Sequence, residues 1–166
     1  IWECPPNGQG VIALMLLNIM SGVDKFGDHP ISVERIHHEI EAGRIAYRDR
    51  NLYLSDPEFS AMPIDDMLSQ ETADLIRAQI NPNRALDKLP ETTLPKHKST
   101  VYISVVDKDR NACSFINTVF HNFGAGILAP KSGVILQNRG QGFVVEPGHP
   151  NCIGPGKRPL HTIIPG

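Results

Sequence analysis

The sequence predicts an α+β protein whose helices come first and whose antiparallel strands come second. Three observations carry this. Up to about residue 80, apolar residues recur at three- and four-residue spacing between capping and turn residues. From Thr100 onward the chain changes to short β-branched and aromatic runs divided by turns. Between them lie the 18 residues Asn81 to Lys98, interrupted by Pro82, Pro90 and Pro95 and too broken for regular structure.

The elements follow in order. Pro5-Pro6-Asn7-Gly8-Gln9-Gly10 is turn-rich, and Val11 to Met20 reads as a buried helix. Gly8 and Gly10 suit either a small-ligand loop or a plain helix start, and the plain start is the simpler reading. Asp28-His29-Pro30 marks a second start. From Ser32 to about Tyr53, Val33, Ile36, Ile40 and Tyr47 fall at helical spacing, with Arg48-Asp49-Arg50 read as a solvated end. Ser55-Asp56-Pro57 and Pro63 punctuate a turn. Ser69 then caps a helix through Ile80 that buries Ala73, Ile76 and Ile80. Thr100 to Asp107 is a strand, Lys108 to Asn111 a hairpin turn, and Ala112 to Phe120 the returning strand. Asn122 to Gly126 is a tight loop. Ile127 to Ala129 and Val134 to Gln137 form a second hairpin, and the last 28 residues are rich in Gly and Pro.

With 166 residues, 40% of them hydrophobic, 20% charged and a net charge of −2, the chain can bury a core and is not of the disordered class. Weak acidity argues against nucleic acid or an anionic membrane as partner. Its longest apolar stretch, Val11 to Met20, is broken by Asn18 and too short to cross a bilayer. That stretch also lacks the flanks of a signal peptide. The three cysteines, Cys4, Cys113 and Cys152, are odd in number and lack metal-ligand spacing. We expect idle thiols and a reducing, cytoplasmic compartment. The chain opens on Ile1 and stops at Ile164-Pro165-Gly166 in mid-run, so a piece of a larger protein is expected.

The chemically informative point is the join at Thr100. Lys96-His97-Lys98-Ser99 runs directly into the β-branched strand. A cut before Thr100 would put a hydroxyl nucleophile and a free amine, its base, in one residue. A long structureless loop just upstream asks for a functional reason. From the residues alone, a threonine that merely opens a strand is the commoner reading of Thr100.

Other motifs fail on inspection. His38-Glu39 has Ala42 where a zinc protease needs its second histidine. Gly124-Ala125-Gly126-Ile127-Leu128-Ala129 matches a dinucleotide fingerprint only superficially, since Pro130 and Gly133 follow where a helix should begin. No motif calls for a metal or cofactor.

Six segments arrive in a telling order: Pro5-Pro6-Asn7-Gly8-Gln9-Gly10, Ile45-Ala46-Tyr47-Arg48-Asp49-Arg50, Leu54-Ser55-Asp56-Pro57, Ser104-Val105-Val106-Asp107-Lys108-Asp109, Phe123-Gly124-Ala125-Gly126-Ile127 and Gly154-Pro155-Gly156-Lys157-Arg158-Pro159-Leu160. In content and spacing this chain resembles the γ-glutamyltranspeptidase family. The resemblance implies an N-terminal-nucleophile hydrolase with an αββα sandwich, present here in part, made as a precursor that cuts itself into a large and a small subunit. Residues 1–99 would be the end of the large subunit, with processing loop 81–99, and residues 100–166 the start of the small one. The implied cut lies between Ser99 and Thr100, and Thr118 matches a threonine that hydrogen-bonds the nucleophile. The remainder of the precursor is the implied partner, and a small-molecule amide the implied substrate. The family's carboxylate-binding arginine would fall upstream of Ile1 and its oxyanion-hole glycines beyond Gly166, so the isolated piece is expected to be inactive.

The departures from the family pattern are informative. Where true transpeptidases hold the glutamate amino group with asparagine, glutamine or glutamate, and aspartate, this chain has Phe120, Arg139 and Gly142. His161 and Thr162 replace a pair of serines. An acidic amine site has become neutral to basic, which disfavours an ammonium. The pattern is more similar to oxamate amidohydrolases and cephalosporin acylases. Arg139 is read either as a ligand for a substrate carboxylate or as a surface arginine. Arg110 replaces a turn glycine, which should shift any left-handed position to Asn111.

Overall fold

The computed structural model describes residues 1–23, 26, 29–87, 89 and 101–163. Four helices form its core. Helix α1 (Gly10–Ser21) is central and touches α2 (Val33–Tyr53), α3 (Ile64–Leu68) and α4 (Gln70–Gln79). Its buried residues Val11, Ile12, Met15 and Ile19 lie on one face, as helical spacing requires. Ser32 and Ser69 open α2 and α4 by accepting the amide protons of Arg35 and Thr72. Arg77 of α4 donates to the carbonyls of Asn18 and Ile19, which satisfies the open end of α1.

Helix α2 has the expected length but docks by another face. Val33, Ile36, Ile40 and Tyr47 are exposed, whereas Ala42, Ile45 and Ala46 are buried. The reason is side-chain size: two alanines let α1 approach closely, and a stripe of longer residues would not. The segment Arg48-Asp49-Arg50 is not a solvated end either, because Asp49 and Arg50 are buried. Arg50 lies over the Tyr47 ring at 4.4 Å and donates to Asn51 and Gln9. Glu41 is also buried. Burial works against its charge, but the Leu86 amide and Arg44 outweigh that and hold its carboxyl below the usual range. Helix α3 has no signal among the turn residues around it.

In the second half, β1 (Val101–Val106) pairs antiparallel with β2 (Ala112–Asn117), with Val101 opposite Asn117 and Val106 opposite Ala112. Strand β2 ends three residues before Phe120, where the chain turns left-handed. Strands β3 (Leu128–Ala129) and β4 (Val134–Ile135) form a second hairpin. The left-handed residue of the first turn is Arg110, at φ 66°, not Asn111. Asp107 accounts for this: its carboxylate accepts from the side chain and backbone of Asn111 and from the Asp109 amide, which occupies Asn111 in the turn. All three cysteines are free thiols.

The two halves are joined by specific contacts. Asp56, only 1% exposed, accepts from the Arg158 backbone amide and from Nε and Nη2 of its side chain, at 2.9, 3.0 and 2.6 Å. His161 N–H donates to Asn7 O at 2.9 Å, and Gln9 N–H donates to His161 O at 3.1 Å. His149 Nε2 meets Asn51 O at 3.0 Å. Val144 and Leu160 complete the helical core.

A Cβ on Gly10 would lie 2.6 Å from Glu3 Cβ. A Gly10→Ala variant should therefore lose about 1–3 kcal/mol in chemical denaturation, although Gly to Ala inside a helix ordinarily stabilises. Hydrogen bonds from Arg158 hold the Asp56 carboxyl well below the usual carboxylate range. Its contribution to stability is thus full above the unfolded value of about 3.9 and fades as pH falls through the folded one. The melting-temperature gap between wild type and Asp56→Asn should be widest above about pH 4 and narrow below it.

Candidate active site

Ser99, Thr100 and the part of the processing loop that leads into them, residues 90–98, lie outside the described residues. The site is therefore built from β1 onward. Val101 faces Asn117 across the hairpin, so Thr118 comes one residue beyond the first pair of β1 and β2. Thr118 Oγ1 accepts the Phe120 amide proton at 3.1 Å. A hydroxyl that accepts one proton can still donate its own.

Phe120 follows at φ 77°, a conformation that costs an L-residue roughly 1–2 kcal/mol. Its surroundings hold it there. The ring is buried, stacked on His121 with centroids 4.4 Å apart. Asn138 brings the next segment alongside: its side chain accepts from the His121 amide at 3.0 Å and its amide donates to Val119 O at 3.2 Å. Gly124 permits the intervening loop, since at φ 54° a Cβ there would lie 2.3 Å from Leu136 O.

Asn138 leads into a 3₁₀ turn, Arg139–Gly142. Arg139 is 6% exposed, so it is no surface arginine. Its guanidinium lies 4.5 Å from the Phe120 ring centroid, and Nη1 donates to Thr162 Oγ1 at 2.7 Å. No carboxylate pairs with it among the described residues. Burial accordingly lowers its pKa. His161 is pushed down to about 4, by burial first and by the Arg139 charge second. Its Nδ1 accepts from the Ile163 amide, so the neutral ring carries its proton on Nε2. Phe120, Arg139, His161 and Thr162, picked out separately in the sequence, thus converge. They form a buried cationic cluster with an aromatic floor, able to hold an anion and hostile to a second cation.

Three further residues support this cluster. Asn7 donates to Pro159 O and accepts from His161, which fixes the segment carrying Thr162. Asp56 anchors Arg158 just upstream. Asn151 sits between the 3₁₀ turn and Leu160. All three lie in or beside the quoted motifs, but their pairing spans about a hundred residues or more in two cases and leaves no periodic signal.

The γ-glutamyltranspeptidase family profile matches residues 1–166. The chain belongs to the γ-glutamyltranspeptidase family. A glutathione hydrolase proenzyme of Pseudomonas sp. (strain A14) is 38% identical over 176 residues, covering 97% of this chain and 30% of that protein. The oxamate amidohydrolase proenzyme of Klebsiella pneumoniae is 30% identical over 165 residues, covering 99% and 30%. A glutathione hydrolase-like proenzyme of Bacillus subtilis (strain 168) is 33% identical over 165 residues, covering 99% and 31%. The crystal structure of cephalosporin acylase from Bacillus halodurans superposes with a TM-score of 0.83 at 39% identity, over 98% of this chain and 29% of that one. The fold is therefore that of a γ-glutamyltranspeptidase-family N-terminal-nucleophile hydrolase, with helices and antiparallel strands as expected. The chain spans about three tenths of the length of the curated relatives it matches. No described helix is long and apolar enough to cross a membrane.

Because His161 has a folded pKa of about 4 against about 6.5 unfolded, protonation favours the unfolded chain. Stability is full above about pH 6.5 and falls as pH drops toward 4. His161→Gln should flatten that part of the melting-temperature profile, and an unchanged profile would contradict the burial of a neutral ring.

Proposed function

We propose that the full-length protein is an amide hydrolase that cuts itself between Ser99 and Thr100 and then uses Thr100 as its nucleophile on a small amide bearing a carboxylate. The observation that carries the substrate class is Arg139, a buried guanidinium bonded to Thr162 and unpaired with any described carboxylate. A substrate carboxylate would neutralise it by a charge-assisted hydrogen bond.

In processing, the Thr100 hydroxyl adds to the Ser99 carbonyl, and its proton ends on the departing Thr100 nitrogen. Water then hydrolyses the ester, leaving a Ser99 carboxylate and a free Thr100 amine. That amine titrates near 8 and can act as base close to neutrality. In turnover Thr100 Oγ1 attacks the substrate amide, the amine or ammonia leaves with a proton, and water releases the acyl group. Thr118, next to the first β1–β2 pair, supports the nucleophile through its hydroxyl. The aromatic face of Phe120 and the neutral ring of His161 line the Arg139 subsite, and no described residue brings negative charge to it.

The remainder of the precursor is the partner in this reading. Ile103 and Phe115 are cross-strand neighbours, Val105 shares their face, and all three are exposed. A sheet face of this kind needs a cover that the described residues do not supply. Three free thiols fit a cytoplasmic location. The named glutathione hydrolases among the relatives favour a second reading, a γ-glutamyl hydrolase or transferase. A reading of another class is an uncleaved, non-catalytic homologue.

Assays of the full-length protein on oxamate, glutathione and γ-glutamyl-p-nitroanilide separate the first two. Ammonia release from oxamate is expected, and strong glutamyl transfer to dipeptides would defeat it. Intact mass should show two fragments, the smaller beginning Thr-Val-Tyr. Thr100→Ala should leave one uncut chain and no turnover, whereas a variant that still splits would show that another residue is the nucleophile.

A further inference from the structure

Asn151 is fully buried, and its side chain joins two separate segments. Its Nδ2 donates to Gly142 O at 2.6 Å, and its Oδ1 accepts from Leu160 N–H at 2.9 Å. Gly142 ends the 3₁₀ turn that Arg139 begins, and Leu160 stands two residues before Thr162. The two segments are in direct contact, since a Cβ on Gly142 would lie 3.1 Å from Leu160 O. The backbone of Asn151 is fixed in turn: its N–H donates to His149 Nδ1 and its carbonyl accepts from Val144, while His149 Nε2 reaches Asn51 O on α2.

We propose that Asn151 is the positioning residue of the Arg139 subsite, setting the spacing between the turn that carries the guanidinium and the segment that carries Thr162. Only an amide does this, because one end must donate to a carbonyl while the other accepts from an amide. Aspartate in its place would keep the acceptor and turn a charged oxygen toward Gly142 O. The turn then shifts, and the Arg139–Thr162 bond loses its geometry. An error on the order of 1 Å in a positioned group is enough to matter for substrate orientation. Asn151 touches no substrate in this scheme and acts only through Arg139. The inference rests on the reading of Arg139 as a carboxylate ligand.

The test uses the full-length processed enzyme and ammonia release from the monoamides of oxalate, succinate and glutarate, each beside its neutral diamide. Asn151→Asp should raise KM for the best monoamide roughly tenfold, with KM for the matching diamide and kcat for both little changed. Protonating the introduced carboxyl restores an O–H donor toward Gly142 O, and a buried carboxyl protonates readily. KM should therefore recover as pH falls from about 8 to about 5.5, which a general loss of packing would not reproduce. Should Asn151→Asp fail to accumulate folded, Gly142→Ala perturbs the same junction from the other side and should give the same split between monoamide and diamide. An unchanged KM, or equal losses on both amides, overturns the inference. Arg139→Gln separates the two levels. If it leaves the monoamide KM unaltered, or if wild type releases no ammonia from any monoamide, the reading of Arg139 is lost. If Arg139→Gln raises KM and the junction variants do not, only the positioning role falls.

Discussion

The grip of Asp56 on Arg158 is the contact on which the site depends. A buried carboxylate is tolerated only when its lone pairs are taken, and here one arginine supplies its backbone amide and two side-chain nitrogens. This fixes Arg158 against the turn after α2. Pro159, Leu160, His161 and Thr162 follow at once, so their path over the helical core is set from that point. Asn7 holds the same segment through Pro159 and His161.

A positive charge is thereby buried with unusual company. Among the described residues, Arg139 has a hydroxyl, an aromatic face and a neutral imidazole around it, where most buried guanidiniums have an acid. The arrangement is costly unless something anionic enters, and the left-handed Phe120 beside it adds to that cost. Strain and a charge without an acidic partner among the described residues thus meet at one place, and the proposed carboxylate ligand would relieve the second.

Much of this was legible in the residues. Helices α1, α2 and α4 follow from apolar spacing and from Ser32 and Ser69 as caps, and both hairpins from their turn residues. The members of the Arg139 cluster stood out individually because each departs from the family pattern. What did not show was the docking face of α2. The stripe of Val33, Ile36 and Ile40 is the more hydrophobic one, but the alanines at 42 and 46 decide closeness of approach, which hydrophobicity does not measure. The roles of Asn151 and Asp56 were hidden for a different reason. A buried polar residue is recognised by its partners, and those lie far along the chain in Asp56 and on two different segments in Asn151.

Among the described residues, the links between 1–87 and 101–163 are hydrogen bonds, the ion pairs of Arg158 with Asp56 and Glu58, and apolar packing, with Asp56 to Arg158 at their centre. In an unbroken chain they close a loop, and the melting temperature is independent of how much protein is present. Break the backbone between residues 89 and 101, and the same contacts become a binding equilibrium. Unfolding is then also dissociation, so heat resistance rises with concentration, and dilution alone becomes a way to take the protein apart.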